Sequence, residues 1–297
     1  MNSVATLIAG DDQLDAGILA RARENLPAAG DPQWLAEGCA ADIVFAANGK
    51  VNYCDLTHRL RRHLPESIDL VIQPAAHRRK KLFVADMDST MIQQECIDEL
   101  ADFAGLKSHV ASITERAMRG DIAFAPALRE RVALLKGLPV TIIDDVLRER
   151  IRLTPGARTL VATLRAHGVH TCMVSGGFTL FTDPIAAMIG FHENRANTLT
   201  LVDGRELAGT VAEPIFGRGG KGAALAELRQ RLRLPKEETM AVGDGANDMD
   251  MIAEAGLGVA FHAKPKVAVA APARIDHADL TALLYVQGYR REEFVES

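Results

Sequence analysis

Cysteine is scarce in this chain: four residues, Cys39, Cys54, Cys96 and Cys172, are scattered over 297 positions. They form no Cys-x-x-Cys pair and read as having no histidine partner, so neither a disulfide frame nor a zinc site is expected. The thiols read as reduced. The nine histidines show no metal-ligand spacing either. Basic residues are in deficit, with 34 Lys+Arg against 39 Asp+Glu, a formal charge of −5 and a pI near 6.0. That balance gives no general field for nucleic acid or an anionic membrane. Two local clusters, Arg59-Leu60-Arg61-Arg62-His63 and His77-Arg78-Arg79-Lys80-Lys81, are expected to be a solvated helix end and a linker. No apolar run is long enough to span a bilayer. The apolar stretch Met1 to Gly10 lacks a preceding basic region and meets Asp11-Asp12 at once, which argues against a secretory signal. Repeats and low-complexity tracts are absent. These absences point to a cytoplasmic protein with neither a nucleic-acid nor a membrane partner.

What is present is ordinary globular material, 48% hydrophobic and 25% charged, long enough for one large domain or two moderate ones. Apolar periodicity breaks at Pro74 to Lys81 and divides the chain. Before the break, Val4 to Ala9, Ala41 to Ala46 and Ile68 to Ile72 read as strands, and Asp15 to Asn25 and Tyr53 to His63 as helices. Residues 1–76 are therefore expected to form a small α+β module, carrying no cluster of catalytic residue types. After the break, Leu82 to Asp86, His170 to Val174, Thr239 to Val242 and Gly258 to Phe261 read as strands with helices between them, such as Lys221 to Leu232. This α/β alternation predicts a parallel sheet covered on both faces. A helix-rich stretch from Glu95 to Arg150 breaks at Gly105, Gly120 and Gly137-Leu138-Pro139. Thr198 to Val202 and Glu206 to Val211, joined through Asp203-Gly204, read as a β-hairpin.

Ligands of an open parallel sheet lie beyond the carboxyl ends of its strands. Three strands here run directly into polar residues: Val84-Ala85-Asp86-Met87-Asp88-Ser89-Thr90, Met173-Val174-Ser175-Gly176-Gly177 and Ala241-Val242-Gly243-Asp244-Gly245-Ala246-Asn247-Asp248. A fourth segment, Gly219-Gly220-Lys221-Gly222, opens a helix with a lysine. Carboxylates crowded at one sheet edge repel unless a cation sits among them. Asp86, Asp88, Asp244 and Asp248 offer hard oxygen ligands, which suit Mg2+. Extended backbone aims Asp86 and Asp88 to the same side, so one can attack while the other handles a proton. Ser175 and the adjacent glycine amides can hold phosphate oxygens, and Lys221 can neutralise their charge.

These four segments resemble the motifs of the haloacid dehalogenase-like hydrolases, from Leu82 to roughly His277. Within that superfamily the chain is most similar to the phosphoserine phosphatase family. The match extends through Gln93-Gln94-Glu95-Cys96-Ile97-Asp98-Glu99-Leu100-Ala101, Ala117-Met118-Arg119-Gly120, Phe124, Leu128-Arg129-Glu130-Arg131-Val132 and Leu135-Lys136-Gly137. The resemblance implies a Rossmann-like sheet over residues 77–297 with a helical cap at about 93–152. It implies Mg2+-dependent hydrolysis of O-phospho-L-serine, the last step of serine biosynthesis, through a phosphorylated aspartate. Asp86 would be the nucleophile and Asp88 the acid and base. The ion would be held by the Asp86 carboxylate, the Asp88 backbone carbonyl and Asp244, with Asp248 in support. Ser175, Gly176, Lys221 and Asn247 would cradle the phosphate. In the cap, Glu95 would face the substrate ammonium and Arg131 its carboxylate, with Phe124 on the same helix face as Arg131. The N-terminal region resembles ACT-type amino-acid-sensing modules but has no diagnostic ligand motif, so a structural or homodimer-forming role stands equally. Its lack of catalytic groups predicts that it is dispensable for the chemistry. Transfer to another alcohol such as homoserine, a phospho-receiver, and a sensor on an inactive hydrolase are the rival readings. A receiver needs no proton donor such as Asp88, and an intact acidic set argues against an inactive enzyme.

Overall fold

The computed structural model of the chain describes residues 2–10, 13–46, 52–119 and 121–296; Met1, Asp11, Asp12 and Gly120, named above, lie outside the described residues. The first seventy or so residues run β1 (Asn2–Ala9), α1 (Ala16–Glu24), β2 (Gln33–Ala36), β3 (Ala40–Ala46), α2 (Tyr53–Arg61) and β4 (Ile68–Pro74). They make an antiparallel sheet in the order β2-β3-β1-β4, the ferredoxin-like βαββαβ arrangement. Strand alternation gives this sheet two different faces. Ala5, Leu7, Ile43, Phe45, Leu70 and Ile72 pack under the two helices. Ile8, Ala40 and Val71 join the main core of the following segment instead.

The second sheet has the order β12-β11-β10-β5-β6-β7, with every pair parallel. Its strands are β5 (Leu82–Asp86), β6 (His170–Phe178), β7 (Glu193–Asn197), β10 (Thr239–Gly243), β11 (Leu257–Phe261) and β12 (Ala273–Ile275). Phe83 and Ala85 of β5 face the main core, while Leu82 and Val84 face a second core on the opposite side. Both faces are thus covered. Between β5 and β6 come α3 (Cys96–Phe103), α4 (Lys107–Arg119), α5 (Phe124–Ala133) and α6 (Ile142–Glu149), then α7 (Ala157–Ala166). Gly105 and Gly137, two of the expected breaks, have φ of 73° and 80°, a left-handed backbone that favours glycine. After β6 follow α8 (Thr179–Ile189), the hairpin of β8 (Leu199–Val202) and β9 (Glu206–Val211), and α9 (Arg218–Arg231). The hairpin turns at Asp203 and Gly204, both at positive φ as an Asp-Gly turn requires. The chain closes with α10 (Met249–Glu254), α11 (Pro265–Ala270) and α12 (Ala282–Val286) around β11 and β12. Because β6 and β10 flank β5 on opposite sides, the connections diverge there and open a crevice beyond Asp86.

Two expectations need correction. The basic segment at 77–81 is solvated only in part: His77, Arg79 and Lys81 are exposed, but Arg78 and Lys80 are drawn into the protein. Arg78 donates to both oxygens of Asp42, to Thr6 Oγ1 and to the carbonyls of Tyr285 and Val286. Lys80 is buried, donates to the Glu237 carbonyl at 2.8 Å, and is pushed down to about 8 by desolvation. Its acceptors make Arg78 a staple between the two halves of the chain, while Lys80 fastens the segment to the second half. The cluster at the end of α2 does stay largely exposed, though Arg61 reaches Asp276 at 3.4 Å. Cys54, read as lacking a histidine partner, lies 3.9 Å from His58 Nε2 one turn along α2. Among the described residues, no helix is long and apolar enough to cross a membrane.

Candidate active site

The site is built from loops leaving β5, β6 and β10. Asp86 ends β5 almost fully buried, and its Oδ1 accepts from the Met87 N–H at 2.8 Å. Lys221, in the first turn of α9 and wholly buried, sends its ammonium to Asp86 Oδ1 at 2.5 Å and Asp248 Oδ1 at 2.7 Å. Asp248 also accepts from the Gly245 N–H at 3.0 Å. The carboxylate oxygens of Asp86, Asp244 and Asp248 lie within 4.8 Å of one another. Burial first, and the Asp248 charge second, push Asp86 well above the ordinary carboxylate range and Asp244 to about 6. Burial alone would lower the Lys221 ammonium, but Asp86 and Asp248 reverse it, so its value is raised and it stays charged. Three buried acids thus face one buried ammonium. The surplus negative charge and the all-oxygen donor set fit a hard divalent cation.

Asp88 stands apart from this cluster. The chain turns sharply after it, with Ser89 at φ 55°. One Asp88 oxygen accepts from the Cys96 N–H at 2.8 Å at the start of α3, and the other from Ser175 Oγ at 2.9 Å. Desolvation, with the Glu95 charge behind it, pushes Asp88 up to about 6 despite these donors. The two aspartates therefore differ in their partners: Asp86 lies against an ammonium and two further acids, Asp88 against a hydroxyl and a backbone N–H. Ser175 is fully buried, and its Oγ also accepts from the Gly177 N–H at 2.8 Å. Its hydroxyl proton is spent on Asp88, a role the sequence did not suggest.

The cap brings the other expected residues over this floor. Glu95 is exposed at the start of α3 and accepts from Ser89 Oγ at 2.7 Å. Phe124 and Arg131 share the unbroken helix α5, as expected. Burial pulls the Arg131 guanidinium down, while Asp98, Glu95 and Asp88 in turn hold it up. The cap arginine thus shares its surroundings with Asp98, Glu95 and Asp88. The Phe124 ring lies over two glycines: a Cβ on Gly176 would sit 3.2 Å from it, and one on Gly217 3.0 Å. Asn247 is half-buried beside Gly245.

Two further groups were not anticipated. Lys264 donates its N–H to the Asp244 carbonyl at 3.1 Å and brings Nζ within 3.8 Å of Asp244 Oδ2. Asn197, nearly fully buried, joins the Gly176 loop to the segment before α9. The signal for Lys264 was only its place a few residues beyond a strand end; Asn197 closes a polar strand and gave none.

Residues 80–256 match the family model of the haloacid dehalogenase-like hydrolases. A phosphoserine phosphatase of Mycobacterium tuberculosis is 46% identical over 230 residues, covering 77% of this chain and 56% of that one. A phosphoserine phosphatase of Polaromonas is 46% identical over 208 residues, covering 69% of this chain and 88% of its own. The crystal structure of a probable phosphoserine phosphatase from Vibrio cholerae superposes with a TM-score of 0.78 at 32% identity, over 98% of this chain and 88% of that one. The chain spans little more than half the length of some of these relatives, 56% of the mycobacterial protein and 54% of one from Streptomyces coelicolor. With the parallel sheet, the acidic cluster and the capping helices described, the chain belongs to the haloacid dehalogenase-like hydrolases, in their phosphoserine phosphatase family.

Proposed function

We propose that the chain hydrolyses O-phospho-L-serine to L-serine and phosphate, with Asp86 as nucleophile and Asp88 as acid and base. The observation that carries this reading is the contrast between the two aspartates. Asp86 is paired with Lys221 at 2.5 Å beside the carboxylates of Asp244 and Asp248, whereas Asp88 is turned away from them and held by Ser175 Oγ and the Cys96 N–H. An Asp86 oxygen forms a bond to phosphorus as the bond to the serine oxygen breaks, and Asp88 gives that oxygen its proton. Asp88, now a carboxylate, takes a proton from water, whose oxygen bonds to the phosphorus as the bond from phosphorus to the Asp86 oxygen breaks, releasing phosphate and restoring Asp86. Ser175 keeps Asp88 aimed through both halves. Asp86, Asp244, Asp248 and the Asp88 carbonyl would hold Mg2+, which supplies neutralisation between an anionic nucleophile and a dianionic ester. Lys221, Gly176 and Asn247 take the phosphate oxygens. Glu95 receives the substrate ammonium, Arg131 its carboxylate, and Phe124 covers the site.

The names of the similar proteins support this substrate. We assign residues 1–76 to an N-terminal module with a regulatory or dimerising role, and the protein to the cytoplasm, in keeping with four cysteines that are joined by no disulfide. The deciding experiment is phosphate release from a panel of phosphorylated small molecules, with and without Mg2+. Phosphoserine should be the best substrate, and chelation should remove the activity. Full activity after exhaustive chelation, or no preference for phosphoserine, overturns the reading.

A further inference from the structure

Asn197 is the last residue of β7 and is 3% exposed. Its side chain is fully used. Nδ2 donates to the Gly176 carbonyl and the Phe216 carbonyl, both at 2.9 Å, and Oδ1 accepts from the Phe216 N–H at 2.6 Å. A primary amide supplies two donors and an acceptor from one planar group, which neither a carboxylate nor a hydroxyl can match. We propose that Asn197 is a positioning residue for the phosphoryl transfer, fixing the Gly176 loop and the Phe216–Gly217 approach to Lys221 as one floor.

Each arm of this bracket ends on a group of the site. On one side, Gly176 follows Ser175, whose hydroxyl holds Asp88 at 2.9 Å. On the other, the Gly217 carbonyl accepts from the Lys221 N–H at 3.1 Å, in the turn whose ammonium reaches Asp86. The bracket ties the loop bearing Gly176 directly, by hydrogen bonds, to the segment that leads into the helix bearing the lysine. The same two segments carry Gly176 and Gly217, the glycines beneath Phe124. Asn197 therefore sets both the width of the phosphate cradle and the surface on which the cap rests. It acts through Gly176 and Phe216. The inference deepens the phosphatase reading above and rests on it.

The test compares the whole wild-type chain with Asn197→Asp, which keeps the shape but loses both donors and sets a carboxylate against two carbonyls. Asn197→Gln, which keeps the amide one methylene further out, is the conservative control. Readouts are kcat and KM on phosphoserine, phosphoethanolamine and a nitrophenyl phosphate, calorimetric binding of inorganic phosphate with Mg2+ present, and Tm. Asn197→Asp should lose at least about tenfold in kcat/KM on all three esters alike, since two buried hydrogen bonds are removed. Phosphate affinity should fall in parallel, and Asn197→Gln should recover part of both. A uniform loss separates this role from substrate selection by Arg131. A folded Asn197→Asp protein with unchanged phosphate binding and turnover overturns the proposal. Failure of both variants to fold would also overturn it, by assigning Asn197 to stability alone. A wild-type chain that binds phosphate yet releases none from any ester would sink the phosphatase reading; the calorimetric comparison would still decide the role of Asn197.

Discussion

Arg131 presents a planar fork among carboxylates, a geometry that lysine cannot reproduce. Arg131→Lys should therefore lose at least about tenfold in kcat/KM on phosphoserine, from a charge-assisted bond worth on the order of 1.5–3 kcal/mol. It should lose much less on phosphoethanolamine, which has no carboxylate; equal losses on both esters would assign Arg131 to the fold. Asp86→Asn should show no turnover above background while circular dichroism stays native, and retained activity would remove Asp86 as nucleophile. Lys80 offers a test of linkage at the same scale. Its folded value of about 8 lies below its ordinary 10.5, so between those limits the unfolded chain binds more protons. Stability contributed by this residue should rise with pH through that window, by on the order of 3 kcal/mol at most. The buried thiols of Cys96 and Cys172, whose values burial raises, oppose this above pH 9. The comparison is therefore wild type against Lys80→Met in urea titrations at pH 8 and 10; parallel curves would refute the linkage. Asp86, Asp88, Ser175, Lys221, Asp244 and Asp248 were legible in the sequence because each closes or follows a short apolar run or opens a helix. Asn197 was not, because its partners lie 19 and 21 residues away and nothing local marks them.

At the scale of elements, the cap meets the catalytic sheet where the first residue of α5 rests on glycines. Gly217 has φ −127°, open to any residue, so only the Phe124 ring resists a side chain there. Gly217→Ala should displace the ring, which is 38% exposed and can yield toward solvent, and weaken turnover by about 1 kcal/mol at most, the low end of overpacking strain. Phe124→Ala made in the same chain should remove that strain, leaving the two changes clearly non-additive in kcat/KM. Additive losses would mean that the ring and the glycine do not meet in the working enzyme. The Asp-Gly hairpin, the cap breaks at Gly105 and Gly137 and the strand before Asp86 could be read from local pattern. β2 and β12 could not: at four and three residues, they are too short for alternation to register, and only their neighbours define them.

Across the whole molecule, the N-terminal sheet is no detachable appendage. Its outer face carries Ile8 and Val71 into the main core, and Asp69 accepts the N–H groups of Asp276, His277 and Ala278 at 2.7–3.1 Å. The guanidinium of Arg78 closes the seam over Asp42. Arg78→Met should cost about 3 kcal/mol or more, because it strands a buried carboxylate; a change in the urea midpoint too small to resolve would refute the clamp. None of the proposed catalytic groups lies before Asp86. A chain beginning at Arg78 should therefore keep phosphoserine hydrolysis in whatever fraction remains folded, while exposing core and losing solubility. A soluble, folded, inactive truncation would overturn that expectation. The seam was invisible in the sequence because its bonds join residues 36 to more than 200 positions apart.

The seam also dictates a timetable. As the ribosome releases the chain from its amino end, β1 to β4 emerge before the catalytic segment and can pair and cover their helix-facing side. The opposite side, with Ile8, Ala40, Val71 and the Asp69 carboxylate, waits for residues beyond 276. Throughout synthesis of the catalytic segment, a partly wet sheet therefore stands ready for the wrong partner, and a chaperone that shields it would act before the catalytic segment is complete.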